Sequence, residues 1–416
     1  MEHATEQRGD ERSSGRAKLE WVHDRMPLLA RLRDRYRAEK PFSGQRLSMS
    51  LHLEAKTAAL AELLADGGAV VSITSSNPLS AQDDVAAALS ERGVEVHARR
   101  GLDDVEFDRL QHRVLDIEPT LILDDGGELL SRLVTSRKSL AGGVRGGAEE
   151  TTTGVTRIRA LARDGRLPFA MIAVNDAAMK HLFDNRYGTG QSTWEGIMRA
   201  CNTTVAGAQV VVAGYGYCGR GVAERARGLG AQVIVTEVDA VRANEAVMDG
   251  NRVMPMRDAV RTADFVVTTT GCRDVVRAEH LRLMKDGVVL ANAGHFNVEV
   301  DVAWLEAQAV RRRPGRTPDV VGYTLADGRT RWVVAEGRLV NLAAGDGHPV
   351  EIMDMTFALQ ALSLEGLAKA VRPPGLYPVD GDIDRWVAQA RLEAIGVAID
   401  HLNRAQMRYL NSWDIA

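Results

Sequence analysis

Residues 214–219 read Gly-Tyr-Gly-Tyr-Cys-Gly, a G-x-G-x-x-G directly behind the apolar run 209–213 and ahead of a helical pattern. In that setting Gly214 allows a tight turn, Gly216 lets a pyrophosphate approach the backbone, and Gly219 lets helix pack closely on strand. The N-terminus of the helix, with Tyr217 and Cys218 in its first turn, would face the phosphates with a partial positive charge. Glu237 closes the next apolar run, 23 residues after Gly214. It is placed to accept a hydrogen bond from a ribose 2′-hydroxyl, which favours NAD over NADP. Arg242, five residues further on, could favour a 2′-phosphate but reads better as a helix-surface charge. Cys218 reads as a small packing residue against the cofactor rather than as a reactive thiol, the other use of a cysteine at a helix N-terminus.

A second set of polar residues lies outside this fingerprint. Asp124-Asp125-Gly126-Gly127 ends the apolar run 121–123, and ligands of open α/β sheets sit at such carboxyl ends. Glu149-Glu150-Thr151-Thr152-Thr153 gathers two carboxylates and three hydroxyls ahead of a helix, a pattern that also makes an N-cap. Asn175-Asp176 follows the run 171–174, and Lys180 and Asp184 are i,i+4 neighbours if that segment is helical. His52 closes one strand, and His295 follows Asn292-Ala293-Gly294 after the run 288–290. Taken singly these read as a turn, a cap, a surface ion pair and two structural histidines.

The elements that must carry these groups alternate. Residues 47–51, 69–73, 94–96, 121–123 and 171–174 read as strands, with helices over 52–65 and 81–89 between them. A second series has strands at 210–212, 233–235, 265–267 and 288–290 and a helix over 219–229. Strands alternating with helices of 10–15 residues imply doubly wound parallel sheets. The Asp-Gly at 327–328 between β-formers marks a hairpin over 322–332. Residues 311–315 read as a solvated loop, 351–364 as an apolar helix, 373–375 as a break, and 383–395 and 401–410 as amphipathic helices. The first ~20 residues read as a frayed arm. The expectation is two Rossmann-like α/β domains joined by a two-crossing hinge, with a helical tail.

Composition is that of an ordinary globular chain: 416 residues, 45% hydrophobic, 26% charged, net charge −4. The charge argues against a protein that coats nucleic acid. No apolar run approaches the about 18–20 residues a membrane helix needs, and the polar, acidic start is not that of a signal peptide. Three cysteines, Cys201, Cys218 and Cys272, suit a reducing cytoplasm better than a disulfide framework.

Together the polar blocks resemble the S-adenosylhomocysteine hydrolase family. The matching segments are 51–57 (Leu-His-Leu-Glu-Ala-Lys-Thr), 77–83 (Asn-Pro-Leu-Ser-Ala-Gln-Asp), 124–127, 149–153, 180–190, the 214–219 fingerprint, 294–299 and 339–349. The resemblance runs from about residue 17 to the end. It implies a resident, recycled NAD that takes hydride from C3′ of a nucleoside. The 3′-ketone acidifies C4′–H, the 5′-thiolate leaves, water adds at C5′, and the hydride returns. The net reaction converts S-adenosylhomocysteine to adenosine and homocysteine.

By the same resemblance Lys180 takes the 3′-hydroxyl proton, which would require surroundings that lower its pKa. Asp184 and Asn185 orient it, and Glu150 holds the 2′/3′-hydroxyls. Asp125 and His52 manage protons at C4′ and C5′, the choice of base staying open, and His295 with Phe296 gates the channel. Thr151, Thr152, Thr153, Glu237, Thr269, Thr270, Gly271, Asn292, Ala293, Gly294, Asn341 and His348 belong to the NAD side. Glu54, Thr57, Asn77, His348, Met353 and Phe357 belong to the substrate side. No resident metal is expected. The resemblance also implies a substrate domain at 1–184, an NAD domain at 185–348, a return segment at 349–380, and a tail at 381–416. Crossings would lie near 185–193 and 345–349, and a homotetramer would use the apolar stretch 387–395.

This chain departs from many relatives at Thr189, Tyr217, Asn297 and Lys56, lacks a long insertion, and ends Tyr-Leu-Asn-Ser-Trp-Asp-Ile-Ala. These features resemble the shorter archaeal and thermophile branch. Two other readings stay open. One is the same oxidation and elimination on another 5′-substituted nucleoside: S-inosylhomocysteine, or a nucleoside dehydrated to a 4′,5′-alkene. The other is a non-catalytic NAD-binding subunit.

Overall fold

The computed structural model describes residues 2–413, with side chains from Arg12 onward. One sheet is built from β1 (Arg46–Ser50), β2 (Val70–Thr74), β3 (Glu95–His97), β4 (Leu121–Asp124), β5 (Gly146–Glu149) and β6 (Ala170–Ala173). A second is built from β7 (Gln209–Ala213), β8 (Gln232–Thr236), β9 (Arg252–Val253), β10 (Phe265–Thr268), β11 (Val289–Asn292), β12 (Arg311–Pro314), β13 (Val320–Thr324) and β14 (Thr330–Val334). The last strand, β15 (Gly375–Pro378), returns to the first sheet and pairs with β6.

The first sheet has the order β15-β6-β5-β4-β1-β2-β3, parallel throughout. The second runs β12-β13-β14-β11-β10-β7-β8-β9, parallel apart from the antiparallel β12-β13-β14 edge. In each sheet the chain winds outward one way and then restarts on the other side of the first strand. The switch lies between β1 and β4 in the first sheet and between β7 and β10 in the second. Crevices open at such points at the carboxyl ends of the strands. His52 and Asp125 follow β1 and β4, and the glycine fingerprint and Thr269 follow β7 and β10. Val210, Val211 and Val212 are fully buried, as expected of β-branched residues in strands covered on both faces.

Several sequence expectations need correction. The first ~20 residues are a helix, Glu2–His23, rather than a frayed arm. Ser14 Oγ donates to Asp84 at 2.8 Å, Arg16 pairs with Glu91 at 2.7 Å, and Leu19 and Val22 are core residues. Residues 311–314 form an exposed edge strand rather than a loop, and the break at 373–375 leads straight into β15. Residues 387–395 do not present one apolar face outward. Val387 and Ala390 on the helix Gly381–Ala394 are buried in the core around the first sheet, while Ile395 is exposed. Beyond it Val397, Ile399, Leu402, Met407, Tyr409, Leu410 and Trp413 are exposed. No helix of the described residues is long and apolar enough to cross a membrane.

Candidate active site

Lys180 ends a short helix, Ala178–Lys180, and the chain continues as a π-helix, His181–Gly188. π-Turns are rare and occur frequently at functional sites. The extra residue per turn lets one ammonium meet two side chains. Lys180 Nζ lies 3.0 Å from Asp184 Oδ1 and donates to Asn185 Oδ1 at 2.7 Å. Glu150 Oε1 is a third neighbour at 3.3 Å. All four residues are inaccessible or nearly so, so the surface-ion-pair reading of Lys180 and Asp184 is wrong.

Burial works to lower the Lys180 pKa, but the carboxylates of Asp184 and Glu150 outweigh it and hold the ammonium above its ordinary range. That is the opposite of the lowering expected from sequence. Burial would raise Asp184, yet Lys180 and His348 keep it well below the usual carboxylate range. Glu150 goes the other way: burial pushes its carboxyl up to about 8. Around this group, His348 Nδ1 sits 3.1 Å from Asp184 Oδ1, and Thr189 Oγ1 sits 3.3 Å from His348 Nε2. Asn185 Nδ2 donates to Asn175 Oδ1 at 3.0 Å, and Thr152 Oγ1 donates to the same oxygen at 3.2 Å.

Sequence reasoning missed two members. On the helix Val350–Lys369, Thr356 Oγ1 donates to Asp184 Oδ2 at 2.9 Å, and Gln360 Nε2 donates to Glu150 Oε2. Their signal was available: two polar residues four apart interrupt the otherwise apolar stretch 355–362. Phe357 is fully buried beside them and Met353 is half-buried.

A second cluster gathers His52, Asp125 and His295. Asp125 Oδ2 accepts from Ser76 Oγ at 2.6 Å and lies 3.2 Å from His52 Nε2. Asp125 Oδ1 lies 3.5 Å from His295 Nδ1. Burial pushes the His52 imidazole down to about 4, so it is neutral at pH 7. His295 stacks edge-on against Phe296, with centroids 4.4 Å apart. It seats over Gly126, where a Cβ would collide with the ring. The neighbouring Glu149 accepts from the backbone of Gly126, Gly127 and Thr151 and from Thr151 Oγ1, so it ties the Asp125 loop to the threonine segment. Thr151 itself caps the helix Thr152–Arg163.

Near the start of the helix Ala55–Asp66, Glu54 caps Lys56 N and Thr57 N. Its carboxylate lies 2.6 Å from the buried Lys56 Nζ, which also donates to Asp346 O at 2.8 Å. Asn77 Oδ1 accepts from Leu79 N, and Asn77 O accepts from Ser75 and Ser80.

The fingerprint has the shape a pyrophosphate needs. Gly214 has φ +94°, and a Cβ at Gly219 would collide with Gly214 O. At Gly216, chain neighbours aside, the only atom of the described residues within 4 Å of such a Cβ is Arg242 Nη1, at 3.9 Å, so this face of the backbone is open. The exposed Arg242 thus reaches toward the turn from its helix. Tyr217 begins the helix Tyr217–Gly228, and Thr189 Oγ1 donates to Cys218 Sγ at 3.7 Å. Glu237 Oε2 accepts from Tyr215 N at 2.7 Å, which fixes its carboxylate beside the turn. Glu237→Ala is expected to weaken NAD binding without altering the reaction class, measured as the Kd of the apoprotein for NAD against the turnover of the loaded enzyme.

Thr269 Oγ1 donates to Ala213 O, and Glu299 accepts from Thr270 and Gly271. A Cβ on Gly271 would lie 3.6 Å from Thr153 Oγ1, so this loop reaches the first sheet's threonines. Asn292 is fully buried and its amide bonds Thr268, Gly294, Phe296 and Gly337, so it shapes the Ala293–Gly294 loop rather than offering its side chain to a ligand. Asn341 Nδ2 donates to Ser192, but its buried Oδ1 has no partner among the described residues, an acceptor left for a ligand. Open turn, fixed carboxylate and spare acceptor fit a dinucleotide.

Comparison with known proteins agrees with this geometry. The family model "S-adenosyl-L-homocysteine hydrolase, NAD binding domain" matches residues 185–347, and "S-adenosyl-L-homocysteine hydrolase" matches residues 9–142. The chain is 54% identical over 405 residues to an adenosylhomocysteinase of Thermoplasma acidophilum, covering 97% of this chain and 98% of that one. It is 55% identical over 403 residues to an adenosylhomocysteinase of Thermotoga maritima (96% and 100%). It is 53% identical over 402 residues to an S-inosyl-L-homocysteine hydrolase of Methanopyrus kandleri (96% and 95%). With a dinucleotide turn on one sheet, a lysine–carboxylate cluster on the other, and likeness over nearly its whole length, the chain belongs to the S-adenosyl-L-homocysteine hydrolase family.

Proposed function

We propose that this chain hydrolyses S-adenosyl-L-homocysteine reversibly to adenosine and homocysteine, using a resident NAD. The observation that carries the reading is the buried Lys180–Asp184–Asn185–Glu150 cluster, which supplies proton transfer beside a NAD-binding domain. When bound, NAD supplies reversible hydride exchange at the sugar C3′.

The chain's own residues do the rest. Lys180, held by Asp184 and Asn185 with Glu150 3.3 Å away, is aimed to exchange a proton with the 3′-hydroxyl once it has shed its own. Asp184 and Asn185 keep Nζ aimed, and Thr356 and His348 hold Asp184 in turn. His52 and Asp125 lie close enough to act as one proton relay for C4′ and the 5′ position. The Gly214 turn, Glu237, Thr153, Thr269, Thr270, Gly271, Asn341 and His348 form the cofactor's surroundings, with Thr151, Thr152, Asn292, Ala293, Gly294 and Cys218 shaping them. Arg242 adds positive charge at the turn. Glu54, Thr57, Asn77, Met353 and Phe357 line the substrate side.

The domain boundaries stay as read from sequence: a substrate part, residues 185–348 for NAD, and a hinge at the two crossings that excludes water from the keto intermediate. The exposed apolar residues of 395–413 support a homotetramer, and three free cysteines suit the cytoplasm.

A second reading has a specific support. Buried Lys56, paired with Glu54, supplies an ammonium donor of the kind a purine O6 accepts from, and one of the similar proteins is an S-inosyl-L-homocysteine hydrolase. Incubation with homocysteine and either adenosine or inosine separates them. Condensation with adenosine is expected; condensation with inosine alone would transfer the assignment to the inosyl substrate. Neither product would sink hydrolysis.

A further inference from the structure

The loop after β11, residues 293–299, carries His295 and Phe296 at its tip, and both rings reach the first sheet's side. His295 seats over Gly126 and faces Asp125, and the Arg157 guanidinium stands over the Phe296 ring, 4.4 Å from its centroid. Arg157 in turn donates to Gly126 O at 2.8 Å. At the far end of the loop stands Glu299, outside the groups assigned to proton transfer and fully buried. Its Oε2 accepts from Thr270 N at 3.0 Å and from Thr270 Oγ1 at 2.7 Å, and its Oε1 accepts from Gly271 N at 2.7 Å. Burial pushes this carboxyl up and those donors pull it back; three donors on two oxygens suit an ionised carboxylate, which only accepts. The bonds join two loops of different duty. Thr270 and Gly271 follow β10 and pack on the fingerprint, where a Cβ on Gly214 would lie 3.1 Å from both Thr269 Oγ1 and Thr270 Cγ2. On the other side Gly294, the residue before His295, has no room for a Cβ because Glu299 Oε1 fills the space. Asn292 holds the near end of the same loop through Gly294 and Phe296.

We infer that Glu299 is a positioning residue that clamps the His295–Phe296 loop to the cofactor-side Thr270–Gly271 loop, and so keeps the tip closed over Asp125 while the bound nucleoside is a ketone. The consequence for turnover rests on the hydrolase reading; the clamp itself does not. Oxidation at C3′ passes a hydride to NAD, and the same sugar must take it back to complete the cycle. A ketone that escapes past a loosened tip carries away the acceptor for that return step. The cofactor then stays reduced and the protein stalls. Shielding a reactive intermediate until it is consumed is what a closed loop supplies. The bonds of Lys180 go to Asp184, Asn185 and Glu150, none of which belongs to either clamped loop. Glu299 should therefore govern retention of the oxidised nucleoside more than the oxidation itself.

The test uses full-length, NAD-loaded protein carrying Glu299→Gln or, independently, Thr270→Val. In Glu299→Gln the new amide nitrogen must face an N–H of Thr270 or Gly271, and Thr270→Val removes one donor at nearly constant volume. Each protein is mixed with adenosine, and the free nucleoside is recovered by ultrafiltration. Mass spectrometry then gives the oxidised nucleoside released per NADH formed. That ratio should rise at least about tenfold in Glu299→Gln, the factor expected of one buried donor left unpaired, and by less in Thr270→Val. NADH absorbance should persist after adenosine is removed. Without nucleoside, the amides of residues 294–298 should exchange hydrogen faster in both variants than in the unsubstituted protein. NAD content and thermal unfolding report folding, and where Glu299→Gln fails to fold Thr270→Val decides alone. An unchanged ratio per NAD-loaded site, even with NAD partly lost, overturns the inference, and so does unchanged exchange in the loop. If the unsubstituted protein forms no NADH with adenosine or inosine, the hydrolase reading falls instead, and the clamp stands or falls on the exchange measurement.

Discussion

Lys180→Ala is expected to keep NAD in the protein and to slow its reduction by adenosine by about 10²–10⁴-fold, the range over which a positioned acid–base group acts. The expectation follows from how few alternatives the site offers. Asp184 is held well below the usual carboxylate range and is committed to Lys180, His348 and Thr356. Glu150 is raised toward about 8, and its Oε2 is already bonded by Gln360. Loss of the ammonium also leaves Asp184 as a buried charge with only the Thr356 hydroxyl and His348 beside it, at a cost of about 3–5 kcal/mol in stability. Thermal unfolding should therefore shift down while the cofactor remains, because the hydrogen bonds and ion pairs of Lys180 go to Asp184, Asn185 and Glu150 rather than to the fingerprint. Single-turnover formation of NADH absorbance is the measurement. Reduction at the unsubstituted rate would remove Lys180 from its role, whereas loss of NAD would point to a wider folding defect.

The parts legible in the sequence are those whose signal is local. The fingerprint was readable because glycine spacing, the Val210–Val212 run and the helix after it lie within one stretch, and the β13–β14 hairpin because Asp327-Gly328 sits between β-formers. The parts that were not depend on distant partners. β5 reads Gly-Gly-Ala-Glu with no β-branched residue; its glycines are small because Ile122, Met171 and Leu367 fill the space a Cβ would need. The first helix is rich in charge, and its docking residues Asp84 and Glu91 lie about seventy positions away.

The site divides along the same line. The types at Lys180, Asp184, Glu150, His52, Asp125 and His295 stood out in the sequence, but the direction of the Lys180 shift did not. It is set by two carboxylates, Asp184 and Glu150, that the π-helix and the β5 end bring together. The same holds for Thr356 and Gln360, whose role depends on which face the helix Val350–Lys369 turns toward β5 and the π-helix.

Gly219→Ala is expected to lower the affinity for NAD by about 10–100-fold, since overpacking typically costs about 1–3 kcal/mol and about 1.4 kcal/mol is tenfold in binding. A Cβ at this position would occupy the carbonyl of Gly214, the residue whose φ of +94° makes the turn. The usual relief, a shift of the helix away from the strand, is closed. The helix Tyr217–Gly228 is pinned on its other side, where Gly221 packs against the backbone of Arg186 and against Gly190 with no room for side chains. Trp194 Nε1 donates to Val222 O at 3.0 Å from the same direction. The strain must therefore go into the turn itself, which opens the phosphate cradle. Because Arg186 lies in the π-helix that carries Asp184 and Asn185, any residual helix movement would also disturb the lysine cluster, so NAD that still binds should be reduced more slowly. Gly228→Ala, where a Cβ meets nothing within 4 Å, is the matched control and should retain both affinity and rate. Equilibrium binding of NAD to the two apoproteins decides it: equal affinities would mean that the turn tolerates a methyl group and that close packing of this helix is not what shapes the cofactor site.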